Sequence, residues 1–283
     1  MLHLIPSLES LVTTFVPDED AWLGPIASRL YESPQYQILQ FDVFEGMACN
    51  PNPLPALQSL HINAWFAFYD YMYSKAPFER IVAPLRDLRF NVQDTDYKSD
   101  DDDATAHDFW TYVIGPRVLQ PAVNLTSLAM GSSVEFGSLI RLDLGSITFP
   151  CLTSLSLSNF AWDDTRLEPQ EATLEAEDFV VRHGKTVKKL KLLSCTISIP
   201  YNRSTPVRSW TVVLNRFADE LTELVDLDVE YNFNLRYVQY LPEYGFSSRS
   251  TFAIPGTEQD IPALQALGAM VIRRNGLIYC DSG

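Results

Sequence analysis

The sequence predicts an α/β protein: a curved parallel sheet of about eight short strands, with helices and loops returning along its convex side. Three observations lead there. One apolar phrase recurs along the chain, a proline precedes it in three places, and helix-period segments lie between its copies.

The phrase is a leucine, two variable residues, a leucine, one variable residue and an apolar residue. It occurs as LESLVT (8–13), ILQFDV (38–43), LQSLHI (57–62), LRDLRF (85–90), LTSLAM (125–130), LIRLDL (139–144), LTSLSL (152–157), VKKLKL (187–192) and LVDLDV (224–229). IPSLESL, LPALQSL and FPCLTSL share the proline approach, where a fixed φ and a missing donor cost a strand nothing. In a strand the last two apolar positions face one way and their neighbours the other. One such strand cannot bury its apolar face alone, but copies stacked in parallel build a continuous core, which is the leucine-rich-repeat solution.

Spacing exposes a false copy. The central residues are Leu11, Phe41, Leu60, Leu88, Leu128, Leu142, Leu155, Leu190 and Leu227, and the steps of 14 and 13 residues around Leu142 are too short. The shortest common repeat needs about 20. Segment 139–147 therefore belongs to a return path, leaving eight ladder strands and an irregular solenoid over 1–245.

Three return segments read as helices. Over 204–221, Ser204 and Thr205 offer caps, Pro206 suits the first turn, and Trp210, Leu214, Phe217 and Leu221 share one face. Glu171, Glu175 and Glu177 begin a second helix that ends with Arg182, His183 and Gly184, an order that suits the helix dipole. A third, about 104–114, stops at Gly115-Pro116. The acidic stretch 94–103 reads as a solvated loop, and the run Trp65, Phe66, Phe68, Tyr69, Tyr71 and Tyr73 as packing under the strands. Residues 246–283 form a C-terminal capping segment, with Leu264, Leu267 and Val271 on a helix begun by Asp260.

Composition narrows the function. Lys and Arg number 21 against 36 Asp and Glu, a net charge of −15, which disfavours phosphate backbones and anionic membranes. The scattered Cys49, Cys151, Cys195 and Cys280 form no CxxC pair, and His3, His61, His107 and His183 have no metal-ligand spacing, so neither metal nor cofactor is expected. No phosphate-binding glycine loop and no GxSxG elbow occurs. The paired acids Asp163-Asp164 and Asp226/Asp228 read as solvated strand ends and His183 as a helix-end residue, so the chain reads as non-catalytic. MLHLIPSLES lacks a basic leader and no run reaches the ~18 apolar residues of a membrane span, so a cytoplasmic or nuclear location is expected.

FPCLTSLSLSNFAWDD (149–164), followed by EDFVVRHGKTVKKLKLLSCTI (177–197), resembles the repeat region of F-box proteins from filamentous fungi. The matching elements are Ser158-Asn159-Phe160 at a strand exit, His183-Gly184-Lys185-Thr186-Val187 at a helix end, and Leu192 to Cys195 leaving the next strand. The resemblance implies a substrate-recognition module of a ubiquitin-ligase receptor, whose F-box recruits the adaptor of a cullin-type ligase. Met1 is followed almost at once by the first phrase, with no Leu-Pro-x-Glu opening, so that box is expected outside this chain or lost. A stand-alone repeat scaffold without a ligase role is the alternative.

The partner would be a protein, met by the outward residues of the ladder. These run Gln40/Asp42, Ser59/His61, Asp87/Arg89, Ser127/Ala129, Ser154/Ser156, Lys189/Lys191 and Asp226/Asp228. Small groups line the centre, and His61, Arg89, Ala129, Ser156, Lys191 and Asp228 are the candidate contact residues, with Lys191 and Asp228 within ion-pair reach across ~4.8 Å.

Overall fold

The computed structural model describes residues 7–15, 34–48, 54, 56–68, 70–93, 108–136, 142, 144–162, 175–200, 208–229, 235–241, 245–247 and 257–280. The chain is α/β and divides into two compact units, Met1–Val134 and Glu135–Gly283. The acidic stretch 94–103, the caps Ser204, Thr205 and Pro206, and the pair Asp163-Asp164 lie outside the described residues.

The first unit holds the parallel strands β1 (Ser10–Thr14), β2 (Ser59–Phe66), β3 (Asp87–Gln93) and all but the last two residues of β4 (Ser127–Phe136). Their register places Leu11 against Leu60, Leu60 against Leu88 and Leu88 against Leu128. The central leucines of the phrase thus align across neighbouring strands, and Leu60, Leu88 and Leu128 are buried.

One phrase is not a strand. ILQFDV lies inside helix α1 (Pro34–Ala48), so Gln40 and Asp42 do not belong to the outward rows, and Gln40 is wholly buried. The reason is visible in the buried set Gln40, Phe44 and Met47, spaced by four and three, which is a helix period. A single LxxLxL also fits a helix, and no proline breaks this one from the residues around it.

Below the strands, Phe44, Trp65, Tyr73, Phe78, Phe90 and Phe109 form one aromatic cluster with contacting ring centroids 5.1–6.3 Å apart. Of the run expected to pack there, Trp65, Phe66, Phe68 and Tyr73 are buried, Tyr71 is exposed, and Tyr69 is outside the described residues. The return path adds α2 (Ala76–Val82) and α3 (Phe109–Leu119). Helix α3 does not stop at Gly115-Pro116 but runs through them. Its turns are widened, with Gln120 N–H bonded to Gly115 O five residues back. A wider turn gives room to a proline ring that would otherwise press on the preceding turn.

In the second unit the ladder strands are β5 (Ser154–Trp162), β6 (Lys189–Leu193) and β8 (Asp226–Val229). Leu155 pairs with Leu190 and Leu190 with Leu227. Of the discarded phrase 139–144 only Leu142 and Leu144 are among the described residues; neither is in a strand, and both are buried with Ile147.

A feature common to both units lies just beyond the phrase. Four positions after the central leucine, Ala64, Asn159 and Ser194 take left-handed backbone with φ of 53°, 54° and 49°. That kink slips the in-out alternation by one residue, so the following Trp65, Phe160 and Cys195 all turn inward and are buried. Past the kink, the end of β5 pairs with β7 (Cys195–Pro200), β7 with β9 (Leu235–Leu241), and β10 (Gly245–Ser247) returns antiparallel. The Cys195 thiol donates to Leu157 O of the neighbouring strand at 3.6 Å.

Helix α4 (Glu175–Arg182) ends as expected, but its last residues do other work than the dipole reading assigned. Gly184 is required by close approach: a Cβ there would overlap Glu220 O and crowd Val181 O at 3.0 Å. Helix α5 (Trp210–Glu220) buries Trp210, Leu214, Phe217 and the following Leu221 as the spacing predicts, but it is capped by Ser209 and so starts later than the Ser204, Thr205 and Pro206 signals suggest.

Helix α6 (Asp260–Cys280) begins at Asp260, buries Leu267 and Val271, and leaves Leu264 half-buried. It is tied to α5 at both ends. Asp260 accepts from Thr211 N and Oγ1 at 2.7 and 2.6 Å and from the Tyr237 hydroxyl at 2.6 Å, while Arg274 donates to Ala218 O and Leu221 O. The Tyr237 hydroxyl accepts in turn from Trp210 N, and burial together with Asp260 pushes its ionisation far up.

Candidate interaction surface

Because alternate residues of a ladder strand face outward, register alone assembles the surface. In the first unit Ser59, Asp87 and Ser127 form one row, and His61, Arg89 and Ala129 the next. In the second, Ser154, Lys189 and Asp226 form one row, and Ser156, Lys191 and Asp228 the next. All six candidate contact residues stand in these rows, three in each unit.

Asp87 organises the first set. Its Oδ2 accepts from Ser59 Oγ at 3.1 Å and lies 2.7 Å from His61 Nε2, and its Oδ1 accepts from Arg89 Nε at 3.3 Å. Burial pushes the carboxyl up, but the hydrogen bonds from His61, Ser127 and Arg89 outweigh it and hold Asp87 below the usual aspartate range. Sequence reading placed Asp87 in the outward row without seeing that it anchors its neighbours. The available signal was its place in register with Ser59 and two residues before Arg89.

Ser59, His61 and Asp87 do not form a nucleophilic relay. His61 Nε2 faces both Ser59 Oγ, at 3.2 Å, and the carboxylate. A relay needs the two partners on opposite ring nitrogens, so that one accepts a proton while the other steadies the cation.

In the second unit Lys191 Nζ lies 2.6 Å from Asp228 Oδ2 and Lys189 Nζ 3.7 Å from Asp226 Oδ2. Both pairs are solvent-exposed and contribute at most about 1 kcal/mol each. The expected Lys191–Asp228 contact is present, so Lys191 is one half of an ion pair, whereas the Arg89 side chain is 56% exposed and engages Asp87 through Nε.

His183 is neither a surface group nor a charged helix end. It is buried, its Nε2 accepts from Phe149 N at 2.9 Å, and its Nδ1 lies 2.7 Å from Phe179 O. A nitrogen that accepts from a backbone N–H carries no proton, so the ring is neutral with its hydrogen on Nδ1. Desolvation lowers its pKa, with Arg182 adding to the effect against the bond to Phe179. The folded pKa lies below the unfolded value of about 6.5, so its stabilisation is complete above that pH and is lost as pH falls through the folded value. The urea midpoint is therefore expected to drop between pH 7 and pH 5, a window above the usual carboxylates. A His183→Phe variant, less stable at neutral pH, should lose that decline; an undiminished decline in the variant refutes the assignment.

Among the described residues, no group of three or more His, Cys, Asp and Glu could hold a metal ion, and no helix is long and apolar enough to cross a membrane. No protein-family model, curated protein or solved structure matches the chain significantly.

Proposed function

We propose that the chain is a protein-binding module, an irregular leucine-rich-repeat solenoid that serves as the substrate-recognition part of an F-box-type ubiquitin-ligase receptor. The observation that carries the binding module is the register: the central leucines align strand to strand within each unit, turning the outward residues into continuous rows. The shared left-handed residue at Ala64, Asn159 and Ser194 supports a common repeat. So does Cys195, five positions after its central leucine, where a leucine-rich repeat carries Asn or Cys. The ligase role rests on the resemblance at 149–197.

In this reading the rows of each unit meet a partner, and His61 and Arg89 in the first unit and Lys191 in the second select its charge. Arg89 is exposed and Lys191 half-buried, both on the outward rows, so Arg89→Glu with Lys191→Glu leaves the core intact and is expected to weaken partner capture by about tenfold or more. Proximity labelling of the full-length protein, with and without proteasome inhibition, supplies the partners to be measured. Capture unchanged by the double reversal removes this surface. Partners whose abundance ignores the inhibitor, with no adaptor captured, favour the stand-alone scaffold.

A further inference from the structure

The outer edge of β1 is a second interaction surface, and we propose that it pairs with β1 of a second copy of this chain. Glu9 O accepts from Ser59 N at 3.0 Å and Phe15 N donates to Asn63 O at 3.1 Å. In a parallel ladder both backbone groups of alternate residues turn to the same neighbour. Glu9, Leu11, Thr13 and Phe15 therefore bond to β2, while Ser10, Val12 and Thr14 direct their N–H and C=O away from it. Among the described residues no strand lies on that side.

Side chains agree with an unfilled position. Leu11 is only half-buried where its register mates Leu60, Leu88 and Leu128 are buried, while Val12, 58% exposed, stands on the outward row with His61 and Arg89. Exposed strand edges are usually protected by charge, proline or a bulge. Ser-Leu-Val-Thr-Thr has none of these. Strand β8, which among the described strands pairs only with β6, does carry Asp226 and Asp228.

A second copy fits this edge by symmetry. An antiparallel pair about a two-fold axis at Val12 sets Val12 against itself, Ser10 against Thr14 and Leu11 against Thr13. Every outward N–H then meets an outward C=O. No charge stands on the strand, and Glu9, the nearest acid, falls opposite Phe15. A neutral strip lets a chain of net charge −15 approach its own copy with no like charges facing across the contact. The same axis at β8 would press aspartates together.

Five-residue strands bury little surface, so the dimer is expected to be weak and concentration-dependent. Sedimentation equilibrium of the full chain should show monomer and dimer exchanging. Val12→Pro removes an outward donor without touching the bonds to β2, and should give a monomer with an unchanged melting curve. Val12→Lys and Val12→Glu should each be monomeric, and mixing them should restore a heterodimer. A wild-type chain monomeric at its highest soluble concentration overturns the proposal. So does dimerisation unaffected by Val12→Lys, or a Lys–Glu mixture that stays monomeric; should the proline variant fail to fold, the mixture decides.

Discussion

Replacing Glu177 by alanine is expected to destabilise the second unit by about 3 to 5 kcal/mol, the usual cost of leaving cations without a buried partner. The Glu177 side chain is 3% exposed and receives Arg208 in a two-pronged contact, its Oε2 at 2.6 Å from Nε, and Arg216 Nη1 on Oε1 at 2.9 Å. Arg216 also reaches Asp178 at 2.7 Å and Glu220 at 3.3 Å. Partial burial works against its charge, but Glu177, Asp178 and Glu220 outweigh that and keep Arg216 firmly protonated. The network fastens α4 to α5. Urea unfolding measures the loss, and Asp226→Ala is the internal control: its ion pair is exposed, so its midpoint should move by no more than about 1 kcal/mol. Equal shifts for the two variants would show that Glu177 is as well solvated as Asp226.

Gln40→Ala should cost about 3 kcal/mol or more, although the residue reads from sequence as one of the exposed row. Its side-chain amide donates to Phe66 O and to the Tyr73 hydroxyl, each at 3.1 Å, and accepts from Phe66 N at 2.9 Å. It therefore serves the backbone of β2 as a neighbouring strand would, just past the kink at Ala64. The Tyr73 hydroxyl also accepts from Trp65 Nε1, and burial pushes its ionisation far up. Each buried polar group that loses its partner costs about 1–3 kcal/mol. Gln40→Leu keeps the volume and removes the polar contacts, so it separates packing from hydrogen bonding. It should be nearly as damaging as alanine. A leucine variant as stable as the parent would rule the polar role out.

Some of this was readable in the chain and some was not, and the division follows the range of the forces. Phrase spacing identified the residues that stand in register, from Leu60 through Leu128 and from Leu155 through Leu227, and rejected Leu142. It did so because a strand's alternation and a repeat's minimum length are local constraints. The same is true of the buried face of α5 and the start of α6 at Asp260. Local pattern failed where two periods coincide: ILQFDV satisfies strand and helix alike, and only the packing of Gln40, Phe44 and Met47 under β2 decides between them.

By itself the sequence determined the alternation of the strands and, for every retained phrase but ILQFDV, which side chains line the outward rows. Tertiary structure decided how individual groups behave there. Asp87 became an anchor only when β2 and β3 lay side by side, and His183 became neutral only when Phe149 N turned onto its ring. Gly184 became irreplaceable only when the end of α5 pressed on it, where sequence suggested a simple helix stop. Such roles are set by partners 26 to 39 residues away in the chain, as with Gln40 and Phe66 or Glu177 and Arg216. Periodicity reports which way a side chain points, whereas its charge, its cost and its function depend on what folding brings to meet it.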